Sequence, residues 1–249
     1  ILPTKMVKVL KNKGSIEPEY DPNASILFAD IVSFSSITPH YNAEELVNTM
    51  TTYFSAFDKV ITENKLILIK TIGDSYFAVG GVPKKSRKNP IQAVLSGLQM
   101  QDAVEKINTN KGFDWKIRIG INTGEIAAGV LNTKRPMFDV WGSAVNVASR
   151  LQESGEANKV NISESTYRLI FPFFECEMRG DIEAKNVGKI SMYYVKRIKP
   201  ELSADKKGLI PNKKFWQFYN NLGVLKPDYI QVMKDITKLI KEFSQRVQD

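Results

Sequence analysis

Two apolar runs that each end in an aspartate constrain this chain most. Ser25-Ile-Leu-Phe-Ala-Asp-Ile-Val32 carries Asp30, and Leu66-Ile-Leu-Ile-Lys-Thr-Ile-Gly-Asp-Ser-Tyr-Phe77 carries Asp74. A carboxylate placed where a buried strand gives out is costly unless it is paired or holds a cation. Two of them, delivered by neighbouring strands, form an oxygen-rich nest for Mg²⁺ or Mn²⁺. That is the setting that phosphoryl or nucleotidyl transfer needs.

The apolar spacing around these runs alternates between strand and helix periods. Strands are expected at Ser25–Ile31, Leu66–Thr71, Tyr76–Val79 and Lys116–Thr123, with a further short one bracketed by Gly124 and Gly129. Others follow at Met137–Trp141, Lys159–Ile162, Phe174–Glu177 and Met192–Lys196. Helices are expected at Ala43–Asn64, Pro90–Thr109, Ser143–Glu153 and Ser163–Ile170. The first part reads β-α-β-β-α-β, the split βαβ pattern of an α+β, ferredoxin-like sheet with flanking helices. Gly73-Asp74 makes one connection a hairpin, so the sheet is rich in antiparallel pairs. Residues 1–24 read as a lead-in segment, 25–199 as one catalytic domain and 200–249 as a Lys-rich helical C-terminal extension. In the extension, Phe215, Trp216, Phe218, Tyr219 and Leu222 fall on helical spacing, and a second amphipathic stretch starts at Pro227.

Composition narrows the function. With one cysteine, Cys176, there is no internal disulfide framework, which fits a reducing, cytoplasmic compartment. With one histidine, His40, His-rich zinc sites and His-pair acid–base chemistry are excluded. The net charge of +8 suits an anionic ligand. The basic residues lie in short scattered clusters, Lys84–Lys88 among them, and none alternates with aromatics as a nucleic-acid groove would. They read as solvated loops, and nucleic acid is not an expected partner. No apolar run approaches the ~20 residues of a membrane helix. Ile1 reads as a cut edge, so upstream sensory or membrane domains are compatible with the chain.

Four separated segments together resemble the class III nucleotidyl cyclase catalytic domain. They are Phe28-Ala-Asp-Ile-Val-Ser-Phe34, Lys70-Thr-Ile-Gly-Asp74, Arg118-Ile-Gly-Ile-Asn-Thr-Gly124 and Phe138-Asp-Val-Trp-Gly-Ser-Ala-Val-Asn-Val-Ala-Ser-Arg150. The resemblance runs in the family's order from about Ile1 to Lys199. It implies that Asp30 and Asp74 hold two metal ions, Mg²⁺ or Mn²⁺. It implies that Lys70 and Asp139 read the purine, in the combination that selects adenine; guanine-selecting members typically carry Glu and Cys there. Asn146 matches the residue that positions the ribose, and Arg150 the one that steadies the phosphates. In the family these parts come from two chains, so a homodimer with sites shared between its subunits is implied. Two positions depart from the pattern. Ser33-Phe34-Ser35 stands where Gly and Thr are commoner. The phosphate-binding loop reads Lys185-Asn-Val-Gly188, which leaves the triphosphate lysine as Lys185 or Lys189.

The chemistry agrees with the resemblance. A Lys ammonium only donates, so it meets adenine N1, and a carboxylate accepts from the N6 amine. Guanine presents the reverse on those atoms. Asn146 and Arg150 are four residues apart on an expected helix and project from one face. The expectation is therefore an adenylate cyclase domain, turning ATP into cyclic AMP and pyrophosphate. Its rivals are a guanylate cyclase, a catalytically silent nucleotide-binding dimerisation module, and a diguanylate cyclase or polymerase-palm relative.

Overall fold

Along the first strand, Leu27, Ala29 and Ile31 join one apolar cluster while Ala24, Ile26 and Phe28 join another, so both of its faces need cover. That requirement organises the fold. The computed structural model describes residues 17–131, 136–184 and 188–222, together with Val7. The element order is β1 (Glu19–Ile31), α1 (Phe34–Ile37), α2 (Ala43–Glu63), β2 (Ile67–Ile72), β3 (Ser75–Gly80), α3 (Asn89–Lys111), β4 (Ile117–Leu131) and β5 (Met137–Trp141). After these come α4 (Ser143–Glu153), β6 (Val160–Ser163), α5 (Glu164–Ile170), β7 (Phe174–Ala184), β8 (Gly188–Ile198) and α6 (Lys213–Asn221).

The strands form one sheet in the order β2-β3-β1-β4-β6-β8-β7, with β5 paired to β4. Every pairing is antiparallel except β4 with β6. The order β2-β3-β1-β4 of the first four strands, with helices between β1 and β2 and between β3 and β4, is the expected split βαβ arrangement. One face of the sheet is covered by α2, α3, α5 and α6, through Tyr53, Phe57, Leu95, Met100, Ile170 and Phe215. The other face carries α4 and β5, whose Ala144, Ala148, Phe138 and Val140 pack on Ile26, Phe28, Phe77 and Val79.

Three boundaries differ from expectation. β1 begins at Glu19, inside the segment read as a lead-in, and Pro22 sits in the irregularity between Asp21 and Ala24, where a missing N–H is tolerated. β4 is a single strand from Ile117 to Leu131, not two strands split at Gly124. Gly124 does not break it; it is small because α4 lies over it, with a Cβ there 3.0 Å from Ala144. β7 and β8 are each longer than their apolar cores, because their outer halves pair only with each other and face solvent. The helical extension is described as far as Leu222, and the stretch from Pro227 lies outside the described residues. α6 is held to the domain by Phe215, which is fully buried against Phe173 and Phe174.

Candidate active site

β1 and the β2–β3 hairpin deliver the two aspartates. Ile72 pairs with Ser75, leaving a two-residue turn in which Gly73 takes φ 61°, as hairpin turns of this length demand. That turn puts Asp74 at the tip, beside Asp30 at the end of β1. The two carboxyl groups are close enough to act on each other, and the Ile31 amide lies beside Asp74. Burial and then the neighbouring Asp30 carboxylate hold the Asp74 pKa above the ordinary carboxylate range, while the backbone N–H groups pull the other way.

Asp30 is itself held in place. It faces Arg118 across the β1–β4 pair. Its Oδ2 accepts from Arg118 Nη2 at 2.9 Å and Nε at 3.2 Å, and from Gln152 Nε2 at 3.1 Å. One oxygen is thus anchored by a guanidinium fork and an amide. Neither Arg118 nor Gln152 was assigned a role from the sequence. Arg118 was visible as a basic residue in the Arg118–Gly124 motif, but its partner is set by strand register. Gln152 reaches Asp30 only because α4 lies close against β4.

That close approach depends on Gly120. A Cβ at this position would lie 2.2 Å from the Gln152 nitrogen and 2.4 Å from the Ala148 carbonyl oxygen, both backbone atoms. α4 presents its buried side, Ala144, Val147, Ala148 and Leu151, to the sheet, and leaves Asn146 and Arg150 exposed. Arg150 Nη1 pairs with Glu153 Oε2 at 2.5 Å. Among the described residues, neither Asn146 nor Arg150 hydrogen-bonds to Asp30 or Asp74.

Lys70 and Asp139 meet. Lys70 lies on β2 and Asp139 on β5, and Lys70 Nζ donates to Asp139 Oδ2 at 2.5 Å. The other oxygen, Oδ1, accepts from the Val140 amide at 2.9 Å, which fixes the carboxylate plane. Lys185 lies outside the described residues. Lys189 is described on β8, where it pairs with Asp181 at 2.8 Å. Cys176 is no nucleophile: burial pushes its thiol up to about 12.

The donor set suits a hard dication. Among the described residues no cluster of three or more His, Cys, Asp or Glu forms, so Asp30 and Asp74 stand as a pair. A pair of carboxylates with positions left over for waters and phosphate oxygens is the usual protein share of a Mg²⁺ site. Two acids forced together are also the arrangement that a bound cation relieves.

Comparison with known proteins bears on the whole of this arrangement. Residues 16–197 match the adenylate and guanylate cyclase catalytic domain family. The chain is 33% identical over 198 residues to an adenylate cyclase of Mycobacterium tuberculosis, covering 78% of this chain and 44% of that protein. It is 30% identical over 200 residues to human atrial natriuretic peptide receptor 2, covering 78% of this chain and 19% of the receptor. The chain therefore spans less than half of either relative. Among solved structures, the guanylate cyclase domain of RhGC from Catenaria anguillulae, in complex with GTP, superposes with a TM-score of 0.69 at 29% identity, covering 73% of this chain and 100% of that one. Motifs, fold and relatives agree, and the chain belongs to the class III adenylate and guanylate cyclase catalytic domain family.

Proposed function

We propose that this domain is an adenylate cyclase, converting ATP to 3′,5′-cyclic AMP and pyrophosphate at sites shared between two copies of the chain. The observation that carries the substrate choice is the ion pair between Lys70 and Asp139. A donor beside an acceptor is the complement of the adenine edge, whose N1 accepts and whose N6 amine donates. Guanine would set N1–H against the ammonium and O6 against the carboxylate. Two mismatched contacts would each leave polar groups unpaired, which disfavours guanine.

In this reading Asp30 and Asp74 hold two Mg²⁺ or Mn²⁺ ions. When bound, these ions acidify the ribose 3′-hydroxyl and neutralise the triphosphate. The 3′-hydroxyl gives its proton to solvent, the O3′–Pα bond forms as the bond from Pα to the bridging oxygen breaks, and pyrophosphate leaves with that electron pair. Asn146 orients the ribose. Arg150 leaves Glu153 to place its planar fork on the phosphates, where charge gathers. Lys185 or Lys189 meets the far end of the triphosphate. In the same reading the catalytic unit begins with β1 at Glu19, ahead of the expected boundary at 25, and runs to 199, with the segment from 200 as an extension. ATP as substrate suits a cytoplasmic domain.

Two features support a shared site. Within one chain Arg150 is exposed and pairs with Glu153 rather than with either acid of the pair. Exposed apolar residues also cluster on the ribbon that carries Asp139: Leu131 pairs across it with Met137, and Trp141 lies further along. Such a surface suits burial against a second copy.

A product assay with ATP and GTP, each with Mg²⁺ and Mn²⁺ across a range of protein concentrations, tests the proposal. Cyclic AMP exceeding cyclic GMP by at least tenfold, with specific activity rising with concentration, is the expected result. Equal turnover of both nucleotides would overturn the adenine assignment.

A further inference from the structure

The helical extension lies beyond the family match, which ends at residue 197, and it does more than close the core. Tyr219 of α6 accepts a hydrogen bond from Gln92 Nε2 at 2.7 Å, and Lys88 Nζ sits 4.6 Å from the centre of the Tyr219 ring. These contacts bring α6 against Lys88, where the β3–α3 loop Lys84-Lys85-Ser86-Arg87-Lys88 enters α3. Two basic segments more than a hundred residues apart in sequence therefore form one surface. Lys65, just after α2, lies close by as well, since its neighbour Leu66 and the Lys88 neighbour Asn89 both flank Gly80.

This surface is also apolar. On α6, Lys213, Trp216 and Asn220 are exposed at helical spacing, so the indole and the ammonium share a stripe. Trp216 is 43% exposed and packs edge-on against Tyr219 at 5.2 Å, which links it to Lys88 in one continuous patch. Ile210, just ahead of the helix, is 58% exposed. Neither α6 nor the 84–88 loop contains an acid. Of the acids in the segment leading to α6, Asp205 is occupied by Ser203 Oγ and by the Leu209 and Ile210 amides, and Glu201 is exposed. Glu63 lies two residues before Lys65.

We propose that this face docks on an anionic lipid surface, with Trp216 and Ile210 entering the interface and Lys65, Lys84, Lys85, Lys88 and Lys213 facing the headgroups. Charge complementarity favours that partner. An exposed indole beside lysines, on a helix whose other side is buried, is the composition of interfacial anchors. The orientation is compatible with catalysis. α6 and α3 cover one face of the sheet, whereas α4, β5 and the anchors of Asp30 lie on the other. A docked domain keeps its nucleotide face toward solvent.

Sedimentation of the full 249-residue chain with vesicles tests this. Vesicles of phosphatidylcholine with about 30% phosphatidylserine should bind it, those of phosphatidylcholine alone should not, and added salt should release it. The triple variant Lys84→Glu, Lys85→Glu, Lys213→Glu should lose roughly a hundredfold or more in affinity while keeping the parent's melting temperature. Tryptophan emission should shift to the blue on anionic vesicles, and Trp216→Phe should abolish the shift. Equal binding to neutral vesicles, retained binding by the triple variant, or a shift that survives Trp216→Phe would each overturn the proposal. So would binding of a short single-stranded RNA without any binding of vesicles.

Discussion

At the scale of single residues, the site is a set of paired charges waiting for a ligand. Asp74 illustrates the cost. Its folded pKa is raised, so the folded chain holds that proton more tightly than the unfolded one. The stability this contributes is present at acid pH and is lost as pH rises from the ordinary carboxylate range through the raised value. Asp74→Asn removes the loss. In metal-free buffer at neutral pH the variant should melt higher than the parent, the gap should close on acidification, and turnover should vanish; calorimetry and a product assay check this. The Lys70–Asp139 pair makes a separate prediction. Lys70→Glu combined with Asp139→Cys should cut the ATP-to-GTP preference at least tenfold, measured as a ratio of kcat/KM values, and an unchanged ratio would refute the role of the pair. Six of the seven candidate site residues lie in described parts of the chain, and the sequence pointed to each because its motif is local. Arg118 and Gln152 escaped notice because each acts through Asp30, and nothing within a few residues of either records that contact. Ser33 is a smaller surprise. It takes φ 58° at the start of α1, a left-handed conformation that costs a non-glycine residue about 1–2 kcal/mol and explains why glycine is commoner there.

At the scale of elements, the spacing between α4 and β4 positions the site, and Gly120 sets it. A methyl group there meets backbone on the helix, which cannot swing aside as a side chain can. Gly120→Ala should cost about 2–3 kcal/mol in denaturant unfolding. Because the helix must retreat, it should also lower kcat through Gln152, Asn146 and Arg150. Loss of stability with full activity would show that the helix tolerates displacement. The helix itself was legible from its period, and so were α2, α3 and the hairpin. The extent of β4 was not. Gly124 and Gly129 look like breaks in a local pattern, but the strand runs through both because β1 on one side and β5 on the other supply its hydrogen bonds. The start of β1 was hidden in the same way, since a polar stretch containing Pro22 reads as loop until β4 is seen to pair with it.

At the scale of the whole molecule, the proposed division of labour between two copies can be tested by mixing. Asp74→Ala lacks one half of a shared site and Arg150→Ala the other. Equal amounts of the two inactive variants should recover roughly a quarter of parent activity, because half of randomly formed dimers are mixed and each of those keeps one intact site. No recovery under conditions where subunits exchange would place the whole site in one chain. The sequence alone indicated most of the strands and helices and pointed to Asp30, Asp74, Lys70 and Asp139 as candidates, because each is written in alternation, in helical period or in a short motif. Only the tertiary structure decided which charges meet: that Arg118 and Gln152 anchor Asp30, that Lys70 reaches Asp139, and that Lys88 lies over Tyr219 of α6. Such contacts join residues tens to more than a hundred positions apart, and their partners are chosen by strand register and helix packing, which no local stretch of sequence encodes.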